Sequence, residues 1–264
     1  MANSQTCKIC KLKKTILIKK FKNKNPGENL FGLEKRKDYE RKLFKCVCGH
    51  YYNKHKFSNF LEQVYKKNYS NYSHKDTQKK FKKIMLLNKR SSNLRRVNFI
   101  KLRFSLKKEI LDVGSGIGVF PYLLKKNGYL IDCIESDKNM CKFLKSKNLK
   151  LVSRNLLKIN KLKKKYDLIT FNKILEHFEL KTIIKILKRY KKLLKPKGQM
   201  YIEVPDSLAA KKGIDRQEFF FEHYNIFSKK SLTIFLKNLG FKVNYLKSIH
   251  EINDKFTLRA FVSA

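Results

Sequence analysis

From Glu109 onward, short apolar runs alternate with segments whose apolar residues recur at helical spacing. Short apolar runs bounded by turn residues are typical of buried strands, and apolar residues repeated along one face are typical of amphipathic helices. The pattern predicts strands at Glu109 to Val113, Tyr129 to Ile134, Leu149 to Val152, Tyr166 to Phe171, Gln199 to Val204, Phe241 to Ser248 and Phe256 to Val262. It predicts helices at Gly118 to Asn127, Lys138 to Lys147, Leu180 to Leu194 and Lys229 to Leu239.

The order of these elements predicts an α/β fold. Alternating strands and helices form a mostly parallel sheet that is covered on both faces. Only the segment "HEINDK" (His250 to Lys255) separates the last two strands, so they form a hairpin and the final strand runs antiparallel. We therefore expect a Rossmann-like sheet of seven strands that ends in an antiparallel hairpin.

Two shorter segments precede this predicted domain, which spans residues 106–264. Residues 1–56 carry two predicted strands, Thr15 to Phe21 and Leu43 to Cys46, around the turn cluster "NKNPGEN". This pattern is typical of a small module with its own turns, and we treat it as a separate domain.

Residues 57–105 form a connector between the small module and the larger domain. The connector begins with a tyrosine-rich stretch and continues as two predicted basic helices, Thr77 to Asn88 and Leu94 to Leu102. We interpret it as a linker packed on the larger domain. The alternative is a lid in which Tyr65 or Tyr69 lines a binding site.

The charge of the chain is strongly positive, with a net value of +42 and a pI near 10.1. Ten arginines stand against 53 lysines, the lysines are spread along the whole chain, and Asn, Ile and Phe are abundant. This composition is typical of AT-rich codon usage, which we favour as the explanation of the positive charge. A nucleic-acid-binding surface is the second explanation, and affinity for an anionic membrane or glycan is the third. No apolar run of about 18 residues predicts a membrane span, and we expect a cytoplasmic protein.

Four of the six cysteines lie in two close pairs, Cys7 with Cys10 and Cys46 with Cys48. Close pairs in a cytoplasmic chain indicate a metal rather than disulfides, and two such pairs predict a structural zinc site of the ribbon type. The second pair has one residue fewer between its cysteines than usual, so His50 or His55 could replace one thiolate. The alternative is a ribbon-like fold that has lost its metal.

The stretch "ILDVGSGIGVF" (Ile110 to Phe120) predicts a ligand loop at the carboxyl edge of the sheet, because glycines between a strand and its helix permit close backbone approach. Glu135, at the end of the next strand, suits the two hydroxyls of a ribose. Asp112 precedes the glycines and would repel a pyrophosphate, but it suits a cofactor with a cationic amino-acid end. These features favour S-adenosylmethionine over a dinucleotide.

The same stretch resembles motif I of class I S-adenosylmethionine-dependent methyltransferases. The resemblance continues through "CIESD", "YDLITFNKILEHF" and "LLKPKGQMYIEVPD", and it covers Ser105 to Ala264. It implies that the backbone of the glycine loop packs under the methionine end and ribose of the cofactor, through Gly114, Ser115, Gly116 and Gly118.

Further contacts with the cofactor are implied by the same resemblance. Asp112 and Asn172 would lie at the amino-acid end, and Glu135 would hold the ribose hydroxyls with Ser136 beside it. The family usually has an acid near the adenine amino group, where this chain has Asn155, and Leu156 would cover the ring; the amide oxygen of Asn155 can still accept that hydrogen bond.

The class of the methyl acceptor is indicated by the segment "EFFFEHYNIFSKKSLTIFLKNLGF" (Glu218 to Phe241), which we call the acceptor-side segment. With the N-terminal cysteines, it resembles nucleotide-sugar C-methyltransferases and related sugar or polysaccharide methyltransferases that carry a zinc-ribbon-like module. The resemblance implies a small sugar-linked acceptor that is methylated on carbon or oxygen.

Methyl transfer needs a base for the acceptor proton. His223 is the first candidate, with Glu222 to orient it, and His177 with Glu176 is the second. Tyr224 could hydrogen-bond the acceptor. The structural alternatives are that His177 only packs against the sheet and that His223 only closes the site.

Three other functions remain as hypotheses. An RNA methyltransferase would use the basic surface, but "FNKI" stands where a base-specific motif such as N-P-P-Y would be expected. A quinone or lipid O-methyltransferase would share "LEH" without needing the cysteine module. A non-catalytic binding protein would have lost the cofactor contacts, which are intact here.

Overall fold

The computed structural model describes residues 6–33, 39–65, 69–70, 76–160 and 162–264. These residues form two compact units. The first unit comprises Met1–Asn59, Lys173–Lys185 and Ile202–Ser263, and the second comprises Phe60–Asn172, Ile186–Tyr201 and Ala264. Among the described helices, none has the length and apolar character that a membrane span requires.

Strands and helices alternate along most of the chain. The strands are β1 Thr15–Phe21, β2 Arg41–Cys46, β3 Tyr51–Lys54, β4 Glu109–Val113, β5 Leu130–Ile134, β6 Lys150–Ser153, β7 Tyr166–Asn172, β8 Leu194–Pro205, β9 Asn225–Ile226, β10 Lys242–His250 and β11 Phe256–Ser263. The described helices are α1 Ser58–Gln63, α2 Thr77–Met85, α3 Ser92–Lys101, α4 Val119–Lys126, α5 Lys138–Ser146, α6 Leu180–Lys191 and α7 Lys229–Asn238.

The seven-stranded sheet has the order β10-β11-β8-β7-β4-β5-β6. Strand β4 pairs in parallel with both β5 and β7, and β10 pairs antiparallel with β11. This confirms the predicted α/β fold with a terminal hairpin. Strand β8 begins at Leu194, earlier than the predicted start at Gln199. The prediction placed the start too late because the segment "KPKG" has the composition of a turn. In the structure this segment lies inside the strand, where Lys197 has a φ of 63°.

The helices beside the sheet begin at recognisable caps. The Asp137 carboxylate accepts hydrogen bonds from the amides of Asn139 and Met140 at the start of α5. Ser228 and Ser231 form a reciprocal capping box at the start of α7. Such caps satisfy amides that have no partner within the helix, so the helix starts are fixed locally by sequence.

From Phe60 onward, the described residues of the connector belong to the second unit, and its interpretation as a linker stays a prediction. In that unit Phe81 of α2 lies in a core cluster with Ile117, Val119 and Met140. The rings of Tyr65 and Tyr69 lie 5.1 Å apart. Residues 66–68 and 71–75 of the tyrosine-rich stretch lie outside the described residues, and the lid hypothesis stays a prediction.

A second sheet of four strands, in the order β1-β2-β3-β9, lies in the first unit. Strands β1 and β2 are those expected from the sequence, whereas β3 and β9 are not predicted. Strand β9 has two residues and pairs with Tyr51 and Tyr52, so no local sequence pattern predicts it. Residues near the N-terminus and residues 202–263 therefore share one compact unit, and the domain boundaries at 56 and 105 stay predictions.

Gly118 and Gly116 make a matched pair for testing the glycine loop. Both have positive φ, 75° and 54°, but a Cβ on Gly118 would overlap the buried Leu144 side chain and lie 3.1 Å from Leu149, whereas Gly116 has open space. We expect Gly118→Ala to lower the free energy of unfolding by about 3 kcal/mol and Gly116→Ala by about 1 kcal/mol, because only the first adds overpacking to backbone strain. Urea denaturation measures both, and equal losses would contradict the close packing of Leu144 on Gly118.

Candidate functional site

The carboxyl ends of β4, β5 and β7 bring the predicted cofactor residues to one edge of the sheet in the second unit. Asp112 lies near the end of β4, Glu135 follows β5 and Asn172 ends β7. The parallel pairing of these strands places them side by side, since Asp112 is opposite Cys133 and Thr170. Crevices at this edge are where α/β sheets bind their ligands.

The glycine loop is held by the residues that follow β5. The amide of Gly114 donates to the Ile134 carbonyl at 2.8 Å, and the amide of Gly116 donates to Glu135 Oε2 at 2.7 Å. Glu135 Oε1 also accepts hydrogen bonds from the amides of Ser136 and Asp137. Burial raises the pKa of Glu135, and these amides oppose that rise. The Glu135 carboxylate thus orders the glycine loop.

Asp112 and Asn172 form a polar pair with a spare acceptor. Asp112 Oδ1 accepts hydrogen bonds from Thr170 Oγ1 at 2.6 Å and from Asn172 Nδ2 at 3.0 Å, and the Ser115 hydroxyl donates to the Asp112 carbonyl. Burial raises the pKa of the Asp112 carboxyl. Asn172 Oδ1 is buried and has no hydrogen-bond partner among the described residues. This orphaned oxygen, beside a carboxylate, fits the ammonium group of an amino-acid ligand.

Asn155 and Leu156 follow β6 in the same unit. Asn155 Oδ1 accepts hydrogen bonds from the amides of Leu157 and Lys158, which makes it the cap of a turn. The Leu156 carbonyl accepts a hydrogen bond from the Tyr190 hydroxyl. The amide oxygen that we expected to face a ligand is therefore already used within the loop.

Glu176, His177 and His223 meet in the first unit. One ligand-type atom from each lies within 4.8 Å of the others, and the two imidazole rings are 5.0 Å apart between centroids. Glu176 and His177 belong to a single turn of 3₁₀ helix, Leu175–His177, just after β7. The structure thus brings together the two base candidates that the sequence separates by 46 residues.

Backbone carbonyls orient the two imidazoles. His223 Nδ1 lies 3.1 Å from the Glu218 carbonyl, and His177 Nδ1 lies 3.2 Å from the Glu222 carbonyl. The Glu222 carboxylate is 3.9 Å from His223 Nε2, too long for a hydrogen bond. Because a carbonyl only accepts, each Nδ1 carries the proton, and the orientation expected from the Glu222 side chain comes from Glu218.

Burial sets the protonation of this cluster. Desolvation, reinforced by the neighbouring His177, lowers the pKa of His223 well below its ordinary value. Desolvation also raises the pKa of Glu176 to about 7, and its Oε2 has no hydrogen-bond partner among the described residues. At neutral pH the imidazole of His223 is therefore uncharged and able to accept a proton.

Tyr224 links this cluster to the N-terminal strands within the first unit. Its amide donates to the Glu176 carbonyl at 2.7 Å, and its carbonyl accepts a hydrogen bond from the amide of Asn53 at 3.1 Å. The ring lies 4.8 Å from that of His55. The tyrosine is buried, with 8% of its surface exposed, so its main chain and its ring both hold the segment in place.

Three residues that the sequence analysis missed hold the backbone before Tyr224. Asn53 Nδ2 donates to the carbonyls of Phe219, Phe220 and His223 at 3.1, 3.0 and 2.8 Å. Arg41 donates to the Phe219 carbonyl and to Asn53 Oδ1.

Glu28 completes this network from the turn cluster "NKNPGEN". Its carboxylate accepts a hydrogen bond from the amide of Phe221 and lies 3.5 Å from the Arg41 guanidinium. Both charged side chains are almost fully buried. A glutamate inside a turn cluster looks like a solvated residue, so the sequence carries no usable signal for this role.

The four N-terminal cysteines converge on one point. Cys7 Sγ is 3.9 Å from Cys48 Sγ, Cys10 Sγ is 3.5 Å from Cys46 Sγ, and all four sulfur atoms lie within 4.8 Å of one another. A tetrahedral zinc ion with bonds of about 2.3 Å spaces its sulfur ligands by about 3.8 Å. The donor set fits a structural zinc ion despite the short Cys46–Cys48 spacing.

Of the two histidines considered as alternative ligands, His55 is engaged elsewhere through both ring nitrogens, whereas the buried Nδ1 of His50 has no hydrogen-bond partner among the described residues. His50 Nε2 lies 3.1 Å from Asn225 Oδ1, and His55 Nε2 lies 3.1 Å from the Phe221 carbonyl. The cysteine cluster is itself attached to α7, since the Ser228 hydroxyl donates to the Cys48 carbonyl and Asn238 Nδ2 donates to the Ile9 carbonyl.

Comparison with known proteins identifies the fold and the family. A family model described as a methyltransferase domain matches residues 85–246. A search of curated proteins gives no match. Among solved structures, magnesium protoporphyrin IX methyltransferase from Synechocystis PCC 6803, with bound SAH, has a TM-score of 0.59 at 13% identity, covering 77% of this chain and 100% of that chain.

Two further solved structures share the fold. The 1,6-didemethyltoxoflavin-N1-methyltransferase of Burkholderia thailandensis, with its substrate and S-adenosylhomocysteine, has a TM-score of 0.56 at 13% identity, covering 78% of this chain and 86% of that chain. A glycopeptide N-methyltransferase in complex with S-adenosylmethionine has a TM-score of 0.53 at 10% identity, covering 63% of this chain and 91% of that chain. At these identities the likeness shows the fold alone.

The raised pKa of Glu176 predicts a pH-dependent stability. Its folded pKa of about 7 exceeds the ordinary value of 4.5, so its stabilising contribution is complete below pH 4.5 and is lost as the pH rises to about 7. Relative to Glu176→Gln, we expect the wild type to lose about 3 kcal/mol of unfolding free energy across this window. Urea denaturation at pH 5 and pH 8 measures the difference.

Glu179→Gln is the control for this comparison, because the pKa of Glu179 is lowered rather than raised. Relative to Glu179→Gln, the wild type should lose no stability as the pH rises from 5 to 8, because a lowered pKa favours the ionised carboxyl in the folded state. A pH-independent difference between wild type and Glu176→Gln would contradict the buried, neutral carboxyl.

Proposed function

The chain belongs to the methyltransferase-domain family as a class I S-adenosylmethionine-dependent methyltransferase, and from that premise we propose that it methylates a sugar-linked acceptor. The acceptor that we favour is a nucleotide sugar or a polysaccharide precursor, methylated on carbon or oxygen. One observation carries the proposal: strand β3 of the N-terminal module pairs with β9, directly after the segment "FEHY". The strand that directly follows the candidate acid–base segment is therefore part of the same sheet as the strands of the N-terminal module.

We propose that the cofactor binds at the carboxyl edge of β4, β5 and β7. Asp112 and the spare oxygen of Asn172 would hold its ammonium group, and Glu135 with Ser136 would meet the ribose hydroxyls. The loop backbone would pass beneath the methionine end, and Asn155 and Leu156 would border the adenine; the loop residues are Gly114, Ser115, Gly116 and Gly118. When bound, S-adenosylmethionine supplies an activated methyl group on its sulfonium.

The chain's own contribution to the reaction is removal of the acceptor proton. His223 holds its Nδ1 proton against the Glu218 carbonyl, which leaves the lone pair of Nε2 to accept the proton. The low pKa of His223 keeps this nitrogen unprotonated at neutral pH. His177, with Glu176, is the second candidate base, and Tyr224 would position the acceptor.

We propose that Cys7, Cys10, Cys46 and Cys48 bind one Zn²⁺ ion. Four thiolates complete a tetrahedron and leave no open coordination position, so the ion would stabilise the module and take no part in methyl transfer. The cysteine cluster is hydrogen-bonded to both ends of α7, at the N-cap Ser228 of the "FS" pair and at Asn238, and α7 itself carries the "SL" pair of the acceptor-side segment.

The test of the function is methyl transfer to a panel of nucleotide sugars, using tritiated S-adenosylmethionine. We expect His223→Asn to lower the rate by about 100-fold or more, because it removes the general base, while binding of S-adenosylhomocysteine by calorimetry stays unchanged. Glu135→Ala should instead weaken the binding of S-adenosylhomocysteine, because it removes the ribose contact and loosens the glycine loop.

The matched control is His250→Asn, since His250 is half-exposed and pairs with Asp254. It should leave both rate and binding unchanged. Transfer only to RNA, with strong salt dependence, or only to a quinone or lipid would contradict the sugar acceptor. Full activity of His223→Asn would contradict the base assignment.

Elemental analysis tests the metal. We expect about one zinc per chain, and Cys46→Ser should lose the zinc and lower the melting temperature because the tetrahedron is incomplete. Cys141→Ser, at a buried cysteine of α5, should keep the zinc. Wild-type protein that contains no zinc, or a Cys46→Ser variant that keeps it, would show that the four cysteines do not form the site.

A further inference from the structure

A cavity in the first unit is lined by described residues other than Glu176, His177 and His223. It has a volume of about 380 Å³, within the range of small-molecule sites. Residues of β3, the start of α6 and the segment after His223 line it, among them Tyr52, Lys54, Lys181 and Tyr224. We call it the basic cavity, and neither the cofactor edge nor the cysteine cluster accounts for it.

The lining of the basic cavity is polar and positively charged. Lys8, Lys54 and Lys181 are exposed at its rim, whereas His50 and Asn225 are buried in its wall. Glu179 is the single acidic residue among the described lining residues, and it is already paired with Lys181 at 3.1 Å. Three lysines against one glutamate leave a net positive site, which favours an anion.

The basic cavity is also next to the proposed base in the chain. Tyr224 lines it and directly follows His223, and Asn225 lines it from β9. A ligand anchored here would therefore lie near the segment that carries the base. Lysines at the rim can hold an anionic group of a ligand, and the buried polar groups beneath them can contact its neutral part. Such a lining suits a substrate with a charged tail and a neutral reacting end.

We propose that the basic cavity binds the phosphate or diphosphate group of the acceptor. The acceptor is then a phosphorylated sugar and not a neutral glycan. This inference rests on the proposed function, because it assigns one part of the same acceptor to a defined place. The phosphate could belong to a nucleoside diphosphate or to a simple sugar phosphate, and the experiment separates these two sources.

The test is calorimetry on the intact, zinc-loaded chain with UDP, glucose 1-phosphate and maltose, at low and high salt. We expect at least one of the two phosphates to bind, more weakly at high salt, and maltose not to bind. Binding of UDP alone would identify a nucleoside diphosphate, and binding of both would identify the phosphate as the recognised group. Absence of phosphate binding at millimolar concentration, or binding of maltose instead, would overturn the inference.

Two double variants locate the site. Lys54→Gln with Lys181→Gln should weaken phosphate binding about tenfold, because each substitution removes a charge from the rim. Lys8 is left unchanged because it adjoins Cys7. Lys20→Gln with Lys22→Gln removes two equally exposed lysines that do not line the basic cavity, and it should leave binding unchanged. Equal binding by both double variants would overturn the inference.

Failure of the inference and failure of the proposed function give different results. Methylation of a neutral sugar, without phosphate binding, would overturn the inference and leave the function standing. Phosphate binding that depends on Lys54 and Lys181, without methylation of any sugar, would support the cavity assignment and contradict the function. Binding of S-adenosylhomocysteine, measured on each sample, confirms that the variants remain folded.

Discussion

The candidate acid–base cluster depends on a buried polar network that fixes the backbone of residues 219–223. This segment has no regular ladder to satisfy its peptide groups, and a buried peptide group left unpaired costs about 1–3 kcal/mol. The Asn53 amide alone serves three of its carbonyls, and the Glu28 carboxylate serves the amide of Phe221. These partners fix the main chain around His223, and its imidazole can therefore hold one orientation.

The cost of burying Arg41 and Glu28 explains why the network is so densely bonded. Taking an ion pair out of water is unfavourable unless further hydrogen bonds compensate for the lost hydration. Arg41 gains them from the Phe219 carbonyl and Asn53, and it stacks on the Phe21 ring at 3.8 Å. Because every compensating group comes from residues 21–53 or 219–221, the N-terminal strands and the cluster form one unit. The N-terminal strands thus help to position the candidate acid–base cluster.

The sequence predicted what depends on local pattern. The seven strands, the hairpin and the placement of Asp112 and Glu135 follow from periodicity and from the rule that parallel strands end at one edge. It did not predict β9, Asn53, Arg41 or Glu28, because their roles exist only through contacts more than 160 residues away in the chain. It named His177 and His223 separately, and only the structure brings them within reach of one another.

The protonation of the cluster follows from the same burial. Charged groups nearby are largely paired, as Lys173 is with Glu251 and Arg259 with Glu203, so they offer limited compensation to an unpaired charge on Glu176 or His223. Burial therefore favours the neutral form of both groups, raising one pKa and lowering the other. Positive charge that arises on His223 when it accepts a proton would in turn favour ionisation of the adjacent carboxyl, since opposite charges at this distance stabilise each other. As a candidate base, His223 is thus favoured by the adjacent Glu176, because the ionised carboxylate would stabilise the positive charge that proton uptake creates on the imidazole.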